Sequence, residues 1–156
     1  MEAIAEQKAG IIKQGIPLVT GRIAPEALAV IDRIAEGKDA SRFAYGTDYQ
    51  VSHQKSVATG EVFDYTSVVR QGRFQTGLLG LHQIENAGMA IALLDTFCQE
   101  DGRELASNDL IVQALEETRW PGRLEVVSRN PLMILDGAHN PCLLYTSDAA
   151  DEEDSV

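Results

Sequence analysis

Cysteine, basic residues and long apolar runs are all scarce in this sequence of 156 residues. Cys98 and Cys142 are too few for a disulfide framework and lack the spacing of metal ligands. No run approaches the roughly 20 apolar residues of a membrane span, and the start has no basic-then-apolar signal region. We therefore expect a cytoplasmic protein without a membrane partner.

The charge balance is strongly acidic. Thirteen Lys and Arg residues oppose 24 Asp and Glu residues, which gives a formal net charge of -11. This balance disfavours nucleic acid as a partner, and an anionic substrate would need a local basic site. The length suffices for one domain or for parts of two, and the apolar content is ordinary for a globular protein.

The first part of the sequence alternates helical and strand patterns. Residues 1–13 have a helical pattern, residues 16–20 predict an apolar strand, and a second helix begins at Pro25 and stops at Gly37. The strand-then-helix order is typical of an α/β fold. The apolar face predicted for the second helix consists of Ala27, Leu28, Ile31, Ile34 and Ala35.

The middle of the sequence has a different residue pattern from the first part. In residues 42–79, β-forming residues alternate with polar residues and glycines, which indicates an antiparallel meander. A long amphipathic helix is predicted over residues 83–100, and another one begins at a cap within residues 107–109 and ends before Pro121. The predicted apolar faces of these two helices are Ile84, Ala87, Ala90, Ile91, Leu94 and Phe97, and Leu110, Ile111, Ala114 and Leu115.

A short apolar run near the end, residues 132–135, predicts a buried strand that leads to Asp136. In open α/β sheets ligands bind at the carboxyl ends of strands, so Asp136 and the turn at Gly137 form a candidate site. Residues 142–156 contain acidic but no basic residues and show little apolar periodicity.

Four short motifs carry a more specific signal. Residues 4–13 (I-A-E-Q-K-A-G-I-I-K) resemble the folylpolyglutamate synthase motif I-A-x-E-K-A-G-I-I-K, with Gln7 in place of its glutamate. Residues 80–87 (G-L-H-Q-I-E-N-A) resemble that family's G-x-H-Q-x-x-N-A. Residues 120–125 (W-P-G-R-L-E) and 135–141 (L-D-G-A-H-N-P) complete the set in the expected order.

The resemblance implies a place in the Mur ligase superfamily, whose members have a nucleotide-binding central domain and a Rossmann-like C-terminal domain. The implied fold class is α/β, and the chain would be truncated, holding only parts of the two domains. Residues 1–118 would be the C-terminal part of the central ATP-binding domain, and residues 119–141 the start of the glutamate-ligase domain. Residues 142–156 would be a non-native tail.

The activity that the resemblance implies is amide ligation. ATP and Mg²⁺ activate a folate- or dihydropteroate-type carboxylate as an acyl phosphate, and the amino group of L-glutamate then displaces phosphate. The parent enzyme is expected to be monomeric.

Lys8 and Arg123 match family residues that handle charge. Lys8 matches a lysine carried as a carbamate, whose oxygens suit Mg²⁺, and this requires a shielded amine with a lowered pKa. Arg123 is expected on the ATP phosphates, because a guanidinium presents paired, permanently charged donors. From the residues alone, the ordinary interpretation is a solvated lysine on a helix for Lys8 and a hinge-surface arginine for Arg123.

Three further side chains are nucleotide candidates. Asp136 suits the ribose hydroxyls, with a structural turn or a helix cap as its alternative. Asn86 can offer adenine both a donor and an acceptor, with a cap or an internal hydrogen bond as its alternative. His139 is assigned near the phosphates, although a lone histidine is commonly a packing residue.

Departures from the family pattern are also present. The sequence has no G-x-x-x-x-G-K-[ST] phosphate loop, and the acidic and histidine positions of the family's metal site are absent. We therefore expect the chain itself not to ligate glutamate. Another Mur-type amide ligase and a non-catalytic module derived from the fold are the alternative functions.

Overall fold

A computed structural model describes residues 2–137, and it shows a mixed α/β fold. Four helices and seven strands make up this part of the chain. In chain order they are α1 (Glu2–Ala9), β1 (Leu18–Thr20), α2 (Pro25–Glu36), β2 (Arg42–Ala44), β3 (Tyr49–Val57), β4 (Gly60–Ser67), β5 (Gln71–Thr76), α3 (His82–Glu100), α4 (Asn108–Glu117), β6 (Glu125–Arg129) and β7 (Leu132–Leu135).

The N-terminal elements form a small helix–strand unit. Strands β1 and β2 pair in parallel, and α2 makes the crossover between them, as parallel neighbours require. Helix α1 packs on α2 through a small cluster that includes Ala9, Ile12 and Ala35. The predicted strand and second helix are confirmed, but α1 ends at Ala9, because the chain then turns and brings Ile12 into this cluster.

The predicted meander is confirmed for β3, β4 and β5, which pair antiparallel in sequence order. The prediction was wrong for Arg42–Ala44, which pairs with β1 instead. The β-forming pattern is the same for either pairing, so the pattern does not reveal which strand is the partner.

Helix α3 covers the meander and completes the main core. Its close approach is visible at Gly88, where an added Cβ would lie 2.4 Å from Cγ1 of Val51. Aromatic side chains from the sheet pack against aliphatic ones from the helices. The buried members of this core are Tyr49, Phe63, Tyr65, Phe74, Ile84, Ala87, Ile91, Ala92 and Ile111.

The buried face of α3 differs from the predicted one. Ala90, Leu94 and Phe97 are exposed, whereas Asp95 is only 1% exposed. The helix is rotated because Asp95 has a cationic partner on the sheet side, which makes a charged position the buried one.

Helix α4 begins as predicted and packs on β5. The Ser107 hydroxyl accepts a hydrogen bond from the Leu110 amide at 3.3 Å, so Ser107 is the N-cap. The predicted apolar face is confirmed at Ile111 and partly at Leu115, but Leu110 and Ala114 are exposed. A single short helix that packs on the edge of a sheet buries only a narrow stripe of its apolar face.

Strands β6 and β7 form an antiparallel hairpin. The strand predicted over residues 132–135 is present, but it is not buried, since all four side chains are 48–65% exposed. Neither strand pairs with a third one within residues 2–137, so the hairpin has no sheet face to cover these side chains. The domain boundary near Thr118 stays a prediction.

None of the described helices is long and apolar enough to cross a membrane.

A buried ion pair joins the sheet to the helices. The Arg70 guanidinium donates to both carboxylate oxygens of Asp95 at 2.7–3.1 Å. It also donates to Oδ1 of Asn108 at 2.5 Å and to the Ala106 carbonyl at 2.8 Å. One side chain from the β4–β5 turn therefore contacts α3, α4 and the loop between them.

Removing one partner of this pair should strongly destabilise the fold. Asp95→Ala leaves a buried guanidinium without its carboxylate, and we expect a loss of about 3–5 kcal/mol in the free energy of unfolding. Urea denaturation measures this loss. The exposed pair of Arg33 and Glu6 supplies the control, because Glu6→Ala should cost less than about 1 kcal/mol. Equal losses for the two variants would contradict the prediction.

Two buried tyrosines should make the fold sensitive to alkali. Burial raises the pKa of Tyr49 and of Tyr65 to about 12 each, against about 10 in an unfolded chain. Above pH 10 the unfolded state loses these protons first, so stability is full below pH 10 and falls as the pH rises to 12.

The loss should reach about 2–3 kcal/mol per tyrosine by pH 12. Thermal denaturation of the unsubstituted protein and of Tyr49→Phe over this range isolates the contribution of Tyr49. The free energies of unfolding of the two proteins should converge as the pH rises. Parallel curves would show that the pKa of Tyr49 is not raised in the folded protein.

Candidate functional site

A cavity of about 340 Å³ is lined on one side by residues of the motif at 120–125. The β3–β4 turn forms one wall, the loop after β5 another, and the segment leading into β6 the third. Residues that line it include Ala58, Thr59, Leu78, Trp120 and Arg123. Motif residues 120–125 therefore border a defined cleft.

The start of α3 contacts this segment directly. Gly80 has a φ of +100°, and an added Cβ there would lie 2.8 Å from the His82 ring and 3.1 Å from Cδ1 of Leu124. Only glycine fits such a conformation and such spacing without strain. The motif at residues 80–87 is thus packed against the motif at residues 120–125.

The last motif joins the same region through its described residues. The Gly137 amide donates to the Gly122 carbonyl at 2.6 Å, and the Gly122 amide donates to the Glu125 carboxylate at 2.8 Å. Asp136 is consequently held near Arg123, although the two lie in different motifs.

Arg123 is the candidate with the most suitable surroundings. Its side chain is half-buried and lines the cavity, and its amide donates to the Trp120 carbonyl at 3.2 Å. Within the described part of the chain, its guanidinium has no carboxylate partner. A cation in a cleft without a paired anion is available to an anionic ligand.

Asn86 and Asp136 are both exposed. The Asn86 amide group donates to Oε1 of Gln83 at 3.0 Å, so the internal hydrogen bond considered as its alternative is present. Its acceptor oxygen remains free to meet a ligand. Asp136 follows β7 on an antiparallel hairpin, which differs from the parallel strand end that the sequence suggested.

Lys8 lies apart from this cluster, on the exposed side of α1. The shielded site expected for it is not formed by residues 2–137, which also contain no group of three or more His, Cys, Asp or Glu side chains able to hold a metal. The described side chains therefore do not build a Mg²⁺ site on their own. His139 lies outside the described residues.

Arg22 is a residue that the sequence analysis missed. Its Nε donates to Glu85 at 2.8 Å, its Nη2 donates to the Tyr45 hydroxyl at 2.9 Å, and its guanidinium lies 4.9 Å from the centroid of the Tyr45 ring. The negative charge of Glu85 raises the pKa of Arg22 further. Arg22 and Tyr45 follow the carboxyl ends of the parallel strands β1 and β2, and this strand-end position was the available signal.

Glu61 was also missed, because nothing in an alternating strand marks one acid as special. It is buried, and its Oε1 accepts the Gly80 amide at 3.1 Å. Its Oε2 accepts the Ser56 hydroxyl at 2.6 Å and lies 3.3 Å from Nε2 of His53. A strand carboxylate thus holds Gly80, two residues before the start of α3.

This chain is similar in sequence to folylpolyglutamate synthases. Folylpolyglutamate synthase of Lacticaseibacillus casei is 36% identical over 142 residues, which cover 89% of this chain and 32% of the relative. The dihydrofolate synthase/folylpolyglutamate synthase of Bacillus subtilis is 36% identical over 141 residues, which cover 90% of this chain and 33% of the relative. No family model matches the sequence.

The structural comparison agrees with the sequence comparison. A solved folylpolyglutamate synthase complex with AMPPCP and folate superposes with a TM-score of 0.91 at 33% identity, covering 99% of this chain and 38% of that one. The chain therefore spans about a third of the length of the curated relatives that it matches. From its motifs, its fold and these relatives, the chain belongs to the folylpolyglutamate synthase family.

Proposed function

We propose that this chain supplies part of the nucleotide site of an ATP-dependent ligase that joins L-glutamate to a folate- or dihydropteroate-type carboxylate. The observation that carries the proposal is the Arg123 guanidinium, which lines a cleft beside the motif at residues 120–125 and has no carboxylate partner within residues 2–137. Residues of the motifs at 80–87 and 135–141 contact this motif. The similar enzyme that was solved with AMPPCP, a non-hydrolysable ATP analogue, and folate supports it.

Within this site, Arg123 would bind the phosphates. A guanidinium donates two parallel hydrogen bonds to phosphate oxygens and keeps its charge at any physiological pH. In a cleft partly shielded from water, this attraction is stronger than on an open surface. Arg123 would thus neutralise negative charge on the nucleotide while the carboxylate is activated as an acyl phosphate.

Asn86 and Asp136 would bind the remaining parts of the nucleotide. The free acceptor of Asn86 suits an exocyclic amino group such as that of adenine, and the Asp136 carboxylate suits two ribose hydroxyls. Residues 80–87 contact residues 120–125, and the Gly122–Gly137 hydrogen bond joins the latter to Asp136. These contacts between the three segments support a shared nucleotide site.

Lys8 and His139 complete the proposed set. Lys8 would act as a carbamate, since a carbamate supplies oxygen ligands to Mg²⁺ where an ammonium would repel it. His139 would lie near the phosphates. We further propose that residues 1–118 belong to the central ATP-binding domain, and residues 119–141 to the start of the glutamate-ligase domain.

The folate branch is favoured over another Mur-type amide ligase. The G-x-H-Q and W-P-G-R-L-E forms of the motifs favour it, and both curated relatives named above are folylpolyglutamate synthases. A non-catalytic module derived from the fold is the second candidate.

Arg123→Gln should weaken binding of AMPPCP while leaving adenosine binding unchanged. Loss of charge-assisted hydrogen bonds to phosphate costs about 1.5–3 kcal/mol, which corresponds to a Kd raised by about 10- to 150-fold. Trp120, the one tryptophan in the sequence, is 63% exposed and lines the same cavity, so its fluorescence reports the titration.

Arg103→Gln is the matched control for charge. Arg103 is an exposed arginine paired with Asp101 and does not line the cavity, so this variant changes net charge by the same amount. Its AMPPCP affinity should equal that of the unsubstituted chain. Equal weakening by both substitutions would contradict a phosphate role for Arg123, and no AMPPCP binding at all would contradict the proposed site.

The chain by itself should form no glutamylated product. Its sequence contains no phosphate loop to hold the ATP β- and γ-phosphates, and residues 2–137 build no Mg²⁺ site. Incubation with ATP, Mg²⁺, L-glutamate and dihydropteroate, followed by mass spectrometry, measures the product. ATP-dependent glutamylation above the background without protein would overturn this expectation.

A further inference from the structure

Helix α3 begins without a local cap. Leu81 occupies the N-cap position with helical dihedral angles (φ -58°, ψ -32°), and its side chain makes no capping hydrogen bond. Helix α4, by contrast, has Ser107 as its N-cap. The Gln83 and Ile84 amides donate to the Gly80 and Leu81 carbonyls at 2.9 and 3.1 Å, so the start of the helix depends on the contacts that hold residues 80 and 81.

One such contact comes from Glu61 on β4. Its buried carboxylate accepts the Gly80 amide at 3.1 Å, two residues before the first residue of the helix. The Ser56 hydroxyl at 2.6 Å and His53 at 3.3 Å contact the other oxygen and fix the orientation of the carboxylate. A buried carboxylate keeps its hydrogen-bond donors, because losing one is costly. Gly80 is therefore held in one place.

The second contact comes from Arg22. Its 2.8 Å ion pair with Glu85 reaches into the first turn of α3, one residue before Asn86. The Tyr45 hydroxyl and ring hold the guanidinium on its other side. Because Arg22 and Tyr45 follow two paired strands, their spacing is set by the parallel β1–β2 sheet.

We propose that Glu61 and Arg22 are positioning residues for nucleotide recognition, Glu61 by holding Gly80 before α3 and Arg22 by holding Glu85 within its first turn. Together they set the direction in which Asn86 is presented. This inference rests on the proposed function, because it takes Asn86 as a nucleotide contact.

A positioning role for Arg22 predicts a different experimental result from a purely stabilising role. An exposed ion pair contributes little to folding stability, so the fold should survive its removal. The geometry of the first turn should not survive unchanged, since Arg22 is the side chain that holds Glu85. Arg22→Gln is therefore expected to alter local order and binding while the thermal transition stays in place.

The experiment compares Arg22→Gln with Arg73→Gln in the full chain. The Arg22–Glu85 pair has side chains 66% and 39% exposed, and the Arg73–Asp64 pair on the sheet has 63% and 38%, so the two are closely matched. Amide hydrogen exchange over residues 80–86 and AMPPCP titration are measured for each. Only Arg22→Gln should speed exchange there and weaken AMPPCP binding, by about threefold or more.

A double-substitution cycle with Asn86→Ala tests whether Arg22 acts through Asn86. If it does, Arg22→Gln should lower AMPPCP affinity in the unsubstituted chain but not in the Asn86→Ala background. Glu61→Gln keeps an acceptor for the Gly80 amide, and Glu61→Ala does not, so exchange over residues 80–86 should be faster in the alanine variant.

Unchanged exchange in Arg22→Gln, or additive effects in the cycle, would overturn the inference while the proposed nucleotide site still stands. Failure of the unsubstituted chain to bind AMPPCP would instead contradict the proposed function, and with it the purpose assigned to this positioning. The Arg22 variants keep the test decisive even where a Glu61 variant does not fold.

Discussion

The buried pair of Arg70 and Asp95 fixes the rotation of α3, and the geometry of the candidate site follows from that rotation. Each residue of a helix turns it by about 100°, so Asn86, nine residues before Asp95, points about half a turn away from it. Burying Asp95 against the sheet thus directs Asn86 to the outside. The same ion pair that joins α3 to the β4–β5 turn therefore decides which side chains near the start of α3 face outward.

Much of this fold was predictable from the sequence, because element types depend on local patterns. The meander, the three longer helices and a cap within residues 107–109 all follow from periodicity and capping chemistry. What could not be predicted depends on partners distant in sequence. Arg42–Ala44 pairs with β1 through a crossover, and the buried face of α3 turns toward a charge supplied by Arg70.

The residues of the candidate site also divide into those that the sequence predicted and those that it did not. The motifs located Asn86, Arg123 and Asp136, and the structure brings the segments that carry them together. Arg22 and Glu61 were not predicted, since each lies on or beside a strand whose local pattern is ordinary. Their importance appears only when three-dimensional contacts show them holding the start of α3. Short motifs identify candidate ligand contacts, whereas the side chains that would support those contacts appear only in the folded structure.

The β6–β7 hairpin has a practical consequence for handling the protein. Its strand β7 presents Leu132, Met133, Ile134 and Leu135 to water, and both outer edges of the hairpin lack a strand partner within residues 2–137. An apolar strand with an open edge is a template for pairing with another chain. Self-association through this hairpin would grow with protein concentration, so dilute samples, or a charged residue introduced into β7, favour a well-behaved preparation.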